Sequence, residues 1–204
     1  MNNNTFNLFL ITIFISSFSF ANEFSAMTLN VDNLFDTLDD KNKDDKAYLP
    51  IEAKTSKKHK KSCNNIKVKS WKNECLFLDW DIETKNVKLK NLASNIISYD
   101  RNGADIIALQ EVENLNILNQ LFDLLEPYGY QDLMLIEGKD YRGIDTALIS
   151  KYKILDAKLH YITFSGKFEG KDTRPILDAL IDVNGSKVKI YNVHFPSGFH
   201  DVSM

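Results

Sequence analysis

The chain has 204 residues, a length typical of one domain. Hydrophobic residues make up 44% and charged residues 26%, which excludes a disordered or fibrous protein. Lys and Arg number 25 against 28 Asp and Glu, so the net charge is −3. This balance excludes a strongly basic nucleic-acid coat but not an enzyme that binds nucleic acid in one groove. Two cysteines exclude both a disulfide-dense scaffold and a four-thiolate zinc site.

The N-terminal segment has the pattern of a secretory signal peptide. Residues 1–22 carry no charge, and an apolar run at 6–15 leads to Ser19-Phe20-Ala21, with small residues at the −3 and −1 positions. The usual Lys or Arg of the first region is missing. A membrane anchor and a buried helix are the alternatives, but the apolar core is shorter than the roughly 20 residues of a span. We expect residues 1–21 to be cleaved and the domain at 22–204 to be exported, periplasmic or secreted, without a stable membrane span.

The first part of the mature chain changes character abruptly. Alternating apolar residues at 26–35 predict a strand. From about 36 to 75 no apolar period is visible, and acidic residues are followed by a lysine-rich run at 54–61. This pattern predicts a long charged surface loop, which inside a domain tends to be functional or mobile. The lysine run is either an ordinary solvated surface or a contact for a polyanionic substrate.

Regular patterns return after this segment and alternate between helix and strand. Asn114 is placed to cap a helix, and Asn184-Gly185 is a strong signal for a tight hairpin turn. The predicted elements are a helical face at 89–97, a strand at 105–109, a helix at 115–125, strands at 133–136 and 145–149, and the hairpin strands at 176–183 and 187–193. This order predicts a mixed sheet with helices packed outside it.

Four polar clusters lie next to predicted strands. Three follow a strand, at 30–33, 110–113 and 192–197, while the fourth, at 172–175, precedes one. Strand ends are where α/β sheets bind ligands, because the loops there are free to vary. Together the clusters contain carboxylates, amides, an arginine and a histidine, a set that suits a hard divalent cation together with a phosphate.

Several stretches resemble a known group of enzymes. Those at 29–34, 107–112 and 193–197 are similar to the first three signature stretches of the endonuclease/exonuclease/phosphatase superfamily, and those at 142–145 and 173–177 resemble its secreted bacterial members. Each stretch alone is weak, but they occur in the right order over roughly residues 26–200. The resemblance implies a four-layer α/β sandwich of two mixed β-sheets flanked by helices, and metal-dependent attack of water on phosphorus.

The resemblance also implies a role for five residues. Glu111 matches the metal-binding glutamate, and Asn30 matches an asparagine that orients the active-site acid or phosphate. Asp32 matches a position that helps to bind metal in some members. His194 matches a histidine that contacts the scissile phosphate, and Arg174 would be a phosphate-binding or structural arginine.

The same five residues have ordinary structural alternatives. Glu111 could be a surface carboxylate, and Asn30 and Asp32 could be turn residues. His194 could be a histidine at a sheet edge, and Arg174 could serve only in a salt bridge. The sequence leaves these alternatives open.

The later family motifs do not follow in this sequence. Members continue to a Gly-Asp-x-Asn stretch and a Ser-Asp-His stretch, which supply the base and further ligands, and neither is found here. We therefore expect the chain to be roughly the N-terminal two thirds of a longer enzyme. The sandwich would be incomplete at its C-terminal end, and the chain alone would lack the general base.

The two cysteines are Cys63 and Cys75. In an exported protein the default for such a pair is a disulfide. Free thiols are one alternative. A metal pair is the other, and it would need further ligands, of which His59 is the nearest in sequence.

These patterns together predict an exported, monomeric phosphodiesterase that depends on Mg²⁺ (or Ca²⁺ or Mn²⁺). A nuclease acting on nucleic acid is the leading interpretation. A phosphatase or sphingomyelinase-like phosphodiesterase is the first alternative, since one fold serves all these substrates. A non-catalytic binding module on the same scaffold is the second.

Overall fold

The computed structural model describes residues 23–169 and 174–195, and its strands form two sheets. The first sheet is mixed, in the order β1-β2-β4-β3, and the second is antiparallel, in the order β5-β6-β7. The strands are β1 (Ala26–Leu34), β2 (Ile106–Val112), β3 (Asp132–Leu135), β4 (Asp145–Ser150), β5 (Lys153–His160), β6 (Ile176–Val183) and β7 (Ser186–Asn192). The predicted signal peptide at 1–21 and the end of the third motif, at 196–197, lie outside the described residues.

Four α-helices accompany the sheets within residues 23–169 and 174–195. They are α1 (Lys57–Asn64), α2 (Lys69–Phe77), α3 (Ile82–Ser98) and α4 (Leu115–Leu125). The predicted cap of α4 is present, because Oδ1 of Asn114 accepts a hydrogen bond of 3.0 Å from the backbone N–H of Ile117. Oδ1 of Asp81 caps α3 in the same way, at 2.7 Å from the N–H of Thr84.

In the described part of the chain, the two larger apolar cores hold the layers together. Leu89 and Ile96 of α3, with Leu118 and Leu121 of α4, pack on one face of the first sheet. A second core lies between the sheets, where the members are Ile106, Leu148, Ile154, Leu177, Ala179, Ile181 and Val183. The predicted α/β class, with two sheets and flanking helices, is confirmed.

The segment predicted as a charged loop contains regular structure, which corrects part of the prediction. Helix α1 and most of α2 fall inside residues 36–75, and short 3-10 turns occupy Lys46–Tyr48 and Ile51–Thr55. Helix α1 buries His59 and Cys63, so it has no apolar face that a periodicity search could detect. Strand β5 was also not predicted. Its pairing with β6 shifts register between Ile154 and Asp156, which interrupts the apolar alternation.

The predicted disulfide between Cys63 and Cys75 is present and joins α1 to α2. The two sulfurs are bonded to each other, so neither the free thiols nor the metal pair describes this structure. The bridged cysteines are 12 positions apart in the sequence. By the loop-entropy model, a disulfide that closes a loop of this length adds on the order of 3 kcal/mol to the free energy of unfolding. Nε2 of His59 lies 2.9 Å from the carbonyl oxygen of Cys75 and adds a second link between the helices.

Within the described part of the chain, none of the helices combines the length and the apolar character that crossing a bilayer requires.

Candidate active site

The candidate site lies where β1 and β2 both depart from regular pairing. Asn30 pairs with Gln110 and Leu34 pairs with Val112, so three residues of β1 oppose the single residue Glu111 of β2. Glu111 is also skipped in the pairing of β2 with β4. The two bulges therefore push Glu111 and the residues opposite it out of the ladder, at the end of the sheet.

The bulged residues adopt an unusual backbone conformation. Asp32, Asn33 and Glu111 have φ values of 53°, 61° and 69°. Asp and Asn tolerate this left-handed region better than most residues, but a glutamate there is uncommon. Val31 and Leu34 stay buried in the first core on either side of Asp32 and Asn33, which fixes the bulge in place. Such strain persists only where the surroundings determine it, and it concentrates at functional sites.

The side chains of Asn30, Glu111 and His194 meet here, and we call these three residues the Glu111 cluster. Oε1 of Glu111 accepts a hydrogen bond of 3.1 Å from Nδ2 of Asn30, and Nε2 of His194 lies 3.2 Å from the same oxygen. Oε2 accepts a hydrogen bond of 3.0 Å from the backbone N–H of Asn33. Three of the five residues that the sequence singled out are thus in direct contact.

These contacts stabilise the charged form of the carboxylate. The hydrogen bond with His194, opposed by burial and supported by Asn30 and Asn33, lowers the pKa of Glu111 to about 2. Glu111 is therefore ionised at neutral pH although its side chain is largely covered. An ionised carboxylate of this kind can bind a cation or hold a protonated histidine.

Asp32 is near the cluster, but its carboxylate is exposed. The backbone N–H of Asp32 donates a hydrogen bond of 2.8 Å to Oδ1 of Asn30. Nζ of Lys88, on α3, donates to the carbonyl oxygens of Asp32 and Asn33, the second at 3.3 Å. Burial lowers the pKa of Lys88, and the negative charges of Asp32 and Glu111 partly offset this. Lys88 therefore supports the left-handed turn and places a positive charge beside the site.

An aromatic cluster borders the site on the side of Lys88. The rings of Phe35 and Tyr48 stack with centroids 4.1 Å apart, and Trp80 meets Tyr48 edge-on at 5.5 Å. Nζ of Lys88 lies 5.6 Å from the centre of the Trp80 ring. Burial, followed by nearby negative charges that include Glu111, raises the pKa of Tyr48 to about 12, so this phenol stays protonated.

Arg174 forms an ion pair near the site. Its Nε lies 3.4 Å from Oδ2 of Asp140, and Nε of Arg142 lies 3.6 Å from Oδ1 of the same carboxylate. Burial and the neighbouring Arg142 lower the pKa of Arg174, while Asp140 and Glu111 act in the opposite sense. Both the structural and the phosphate-binding interpretations of Arg174 fit this geometry, because Asp140 leaves guanidinium N–H groups for other partners.

A buried amide connects the two sheets beneath the cluster. Nδ2 of Asn192, the last residue of β7, donates to the carbonyl oxygens of Leu109 (2.8 Å) and Ala147 (2.9 Å). Its Oδ1 accepts a hydrogen bond of 2.6 Å from Gln110. These bonds anchor the chain two residues before His194. They explain how a histidine from the second sheet reaches a carboxylate of the first.

A second group of carboxylates lies just past the cluster, and we call Asp36, Asp40, Asp45 and Glu113 the acidic pocket. Oε2 of Glu113 accepts a hydrogen bond of 2.7 Å from the backbone N–H of Asp36, and Glu113 is only 2% exposed. Burial and the neighbouring acids raise the pKa of Glu113 to about 9 and that of Asp45 to about 6. Glu113 is therefore neutral at pH 7.

The residues of the Glu111 cluster fit a hard divalent cation. Glu111 is ionised, and the exposed Asp32 offers a second carboxylate, which matches the one or two carboxylates that Mg²⁺ usually takes. Among the described residues, three His, Cys, Asp or Glu ligand atoms do not converge within 4.8 Å around Glu111. A cation held there would take its remaining ligands from water and substrate oxygens, as Mg²⁺ commonly does.

Sequence reasoning missed Lys88, Tyr48 and Asp140. Lys88 is one of several lysines on an amphipathic helix, and Tyr48 lies in the segment predicted as a loop. Asp140 stands two residues before a stretch that the sequence did single out, and that proximity was the one available signal.

Comparison with known proteins identifies the family. The model of the Endonuclease/Exonuclease/phosphatase family matches residues 77–200, and the chain belongs to this family. The family's enzymes hydrolyse phosphodiesters and phosphate esters and generally depend on a divalent metal ion. No curated protein sequence matches the chain significantly.

Solved structures with a similar chain trace include three examples. An endonuclease/exonuclease/phosphatase family protein from Leptotrichia buccalis C-1013-b is 21% identical, with a TM-score of 0.41. The match covers 60% of this chain and 53% of the Leptotrichia chain. TDP2 from Caenorhabditis elegans is 20% identical, covers 57% and 32%, and has a TM-score of 0.39. A β-hairpin deletion mutant of β toxin from Staphylococcus aureus is 13% identical, covers 84% and 50%, and has a TM-score of 0.42. The chain thus spans about half the length of the Leptotrichia protein.

Proposed function

We propose that the protein is a divalent-metal-dependent phosphodiesterase that hydrolyses nucleic acid. The observation that carries this proposal is the Glu111 cluster. In this cluster an amide and a histidine each lie within 3.2 Å of one oxygen of an ionised carboxylate, at a strained strand end. Family membership supports the reaction class, and the geometry of the cluster supports the choice of residues.

Each residue of the cluster has a role in this proposal. Glu111, with Asp32 beside it, would hold Mg²⁺ (or Ca²⁺ or Mn²⁺), which when bound offsets negative charge on the phosphate and the leaving oxygen. Asn30 fixes the orientation of the Glu111 carboxylate through its Nδ2. Nε2 of His194 would contact an oxygen of the scissile phosphate. Arg174 would bind a second phosphate oxygen with its remaining N–H groups.

The chemical step is a direct displacement at phosphorus. A bond forms between a water oxygen and phosphorus, and the bond from phosphorus to the leaving oxygen breaks. The water gives up one proton and the leaving oxygen takes up one, so the products are a phosphomonoester and an alcohol. Most of the acceleration in such reactions comes from positioning and electrostatic stabilisation. A site that is held by bulges and backbone hydrogen bonds is suited to both.

The disulfide supports the proposed localisation. A bridge between Cys63 and Cys75 persists in oxidising compartments such as the periplasm or the extracellular space. We propose that the protein is exported, that cleavage after Ala21 yields a mature protein starting at Asn22, and that it acts as a monomer. N-terminal sequencing of exported material tests the cleavage, and an intact Met1 on a membrane-bound product would contradict it.

The decisive test of function uses the protein as its gene encodes it. We expect Mg²⁺-dependent nicking of plasmid DNA that Glu111→Gln lowers by about 10³-fold, because the neutral amide loses the charge that binds the cation. Glu83→Gln, at an exposed glutamate on α3, is the matched control and should be fully active. Hydrolysis of a phosphate monoester or of sphingomyelin in place of DNA would move the proposal to the alternative substrates. No Glu111-dependent hydrolysis of any of them would favour a binding module.

A further inference from the structure

The strongest feature outside the site is the charge of the segment that contains α1 and α2. Between positions 53 and 73 the sequence has no Asp or Glu, although the whole chain carries a net charge of −3. The lysines within it are Lys54, Lys57, Lys58, Lys60, Lys61, Lys67, Lys69 and Lys72. We call residues 56–77 the basic hairpin, and its positive charge stands against an acidic remainder of the molecule.

The lysines of α1 are on its surface. Lys57, Lys58, Lys60 and Lys61 are exposed, while the buried residues of the helix are His59 and Cys63. Side chains three and four positions apart lie about 5–6 Å from each other on a helix, so these four ammonium groups form one compact patch. A helix that inserts into a lipid surface needs a broad apolar face, and α1 has none. The patch therefore matches a hydrophilic polyanion better than a membrane.

The lysine patch is held in a fixed position. Oγ of Ser56 caps α1 by accepting a hydrogen bond of 3.1 Å from the N–H of His59, and the disulfide links α1 to α2. Lys54 is only 2% exposed, and its Nζ donates to three carbonyl oxygens around the base of the hairpin. These acceptors are Ala47 (2.7 Å), Glu74 (3.2 Å) and Leu78 (2.6 Å). A positioned patch loses less conformational entropy on binding than lysines on a mobile loop.

The base of the hairpin adjoins the candidate active site. Tyr48 and Trp80, which flank the segment in sequence, pack on each other and on Phe35 directly after the bulge of β1. Trp80 in turn contacts Lys88, which holds the left-handed turn at Asp32. A polymer bound along the hairpin would therefore lie close to the site.

The hairpin also exposes an aromatic ring. Trp71 is 55% exposed on α2, and Lys69 and Lys72 flank it in sequence. Exposed aromatic side chains within basic surfaces are the platforms on which proteins stack the bases of single strands. Phosphate-binding lysines together with a stacking ring point to nucleic acid rather than to an acidic polysaccharide or protein.

We propose that the basic hairpin is a docking surface for the sugar–phosphate backbone of single-stranded nucleic acid, with Trp71 as a stacking platform. This inference rests on the proposed function, because it assigns the substrate-holding surface of the same enzyme. It concerns binding outside the cluster of Asn30, Glu111 and His194, so it can be measured without turnover.

The test is equilibrium binding of a fluorescein-labelled 20-nucleotide DNA strand in EDTA, followed by fluorescence anisotropy at several salt concentrations. The variant K57Q/K58Q/K60Q/K61Q should bind at least about ten-fold more weakly at 50 mM salt. The slope of log affinity against log salt should flatten by as much as about 3, since each lost phosphate contact removes about 0.7. Trp71→Ala should weaken binding by roughly 5- to 100-fold without changing the slope.

The matched control is K41Q/K90Q/K153Q/K187Q, which removes four exposed lysines elsewhere and makes the same change in net charge. It should change affinity less than two-fold. If both quadruple variants lose affinity equally, binding depends on net charge alone and the proposal is overturned. Binding to vesicles of anionic phospholipid but not to DNA would overturn it in favour of a lipid surface.

Failure of the proposed function gives a different result. If the wild-type protein cleaves nothing but its DNA affinity still depends on the hairpin lysines, the hairpin proposal stands and the hydrolase proposal falls. If it cleaves DNA, the hairpin variant should lose activity on DNA. The same variant should keep full activity on the small ester bis(p-nitrophenyl) phosphate, because this substrate is too short to contact the hairpin while it is bound at the Glu111 cluster.

Discussion

Glu111 and Glu113 are two positions apart on one chain segment, and their surroundings give them opposite charge states. On the Glu111 side, Asn30, the backbone of Asn33 and His194 surround the carboxylate with hydrogen-bond donors, and its pKa falls to about 2. On the Glu113 side, burial and neighbouring acids raise the pKa to about 9. Two glutamates at the end of one strand are thus ionised in one case and neutral in the other.

This difference in charge state supports the proposal that the Glu111 side of this sheet edge, and not the Glu113 side, binds ligands. The Glu111 cluster keeps a charged group at a strained backbone and positions cations beside it. The acidic pocket places its carboxylates near each other and against side-chain amides: Oδ2 of Asp36 accepts hydrogen bonds from the side chains of Asn114 (3.2 Å) and Asn116 (2.8 Å). We interpret the Glu111 cluster as a reactive site and the acidic pocket as part of the structural framework. Each of the following predictions tests one of these two interpretations.

The largest expected effect is on the Glu111 side, from His194→Asn. The change removes the group that we propose contacts the scissile phosphate, and we expect kcat on DNA to fall by about 10²–10³-fold, as for the loss of one transition-state donor. The pKa of Glu111 should also rise toward its ordinary value, because the hydrogen bond with His194 is the largest cause of its depression. Steady-state kinetics and NMR titration of the carboxyl carbon measure the two effects.

A histidine on the second sheet gives the control. Nε2 of His160 lies 2.8 Å from Oδ2 of Asp178, a histidine–carboxylate contact that resembles the one at Glu111 but includes none of the cluster residues. His160→Asn should leave kcat unchanged. Equal losses for the two variants would mean that His194 acts only through folding.

On the acidic side, Glu113→Gln should stabilise the protein, and increasingly so at higher pH. The unfolded carboxyl titrates near 4.5 and the folded one near 9, so folding above pH 4.5 requires a proton to be taken up. The resulting cost grows with pH up to about 9, and the neutral amide avoids it while its carbonyl oxygen still accepts from the N–H of Asp36. We expect a gain on the order of 1–3 kcal/mol at pH 8, measured by urea unfolding.

The pH dependence separates this effect from a simple packing change. The difference in the free energy of unfolding between Glu113→Gln and wild type should shrink toward zero below about pH 4, where the glutamic acid is protonated in both the folded and the unfolded state. Glu83→Gln, at an exposed position, should show no trend with pH. A constant difference from pH 5 to pH 8 would show that Glu113 does not titrate as the pocket implies.

Much of the scaffold could be predicted from local patterns. The alternation at 26–35, the buried run at 105–109 and the Asn184-Gly185 turn each specify a strand or hairpin by themselves. Helix α1 could not be predicted in this way, since its stability comes from a cap, a disulfide and the buried Lys54 rather than from an apolar face. Those contacts join residues that have no periodic relation in the sequence.

The sequence predicted which residues come together in the Glu111 cluster, but not the backbone geometry that brings them together. Asn30, Glu111 and His194 were singled out because each follows a strand within a family-like stretch, and the structure brings them together. Their chemical roles remain predictions. The bulges that turn Glu111 outward, and the lysine from α3 that supports them, depend on pairing between distant strands and are not written in any local pattern.

The smallest expected effect comes from replacing Lys88, and it tests how the Glu111 cluster is held in position. Lys88→Met keeps much of the side-chain volume but removes the ammonium that donates to the carbonyl oxygens of Asp32 and Asn33. The left-handed turn would loosen, and with it the N–H of Asn33 that binds Glu111. We expect kcat on DNA to fall by about ten-fold, since small misplacements of catalytic groups are costly.

The KM for bis(p-nitrophenyl) phosphate should change little, because Lys88 acts on the position of Glu111 rather than on the substrate. Lys88→Arg should recover part of the activity, since a guanidinium can still donate to both carbonyls. Lys90→Met, at an exposed lysine two residues further along α3, is the control and should be fully active. If Lys88→Met matched that control while the protein stayed folded, the strained turn would be held by the strand bulges alone, and Lys88 would have no part in positioning Glu111.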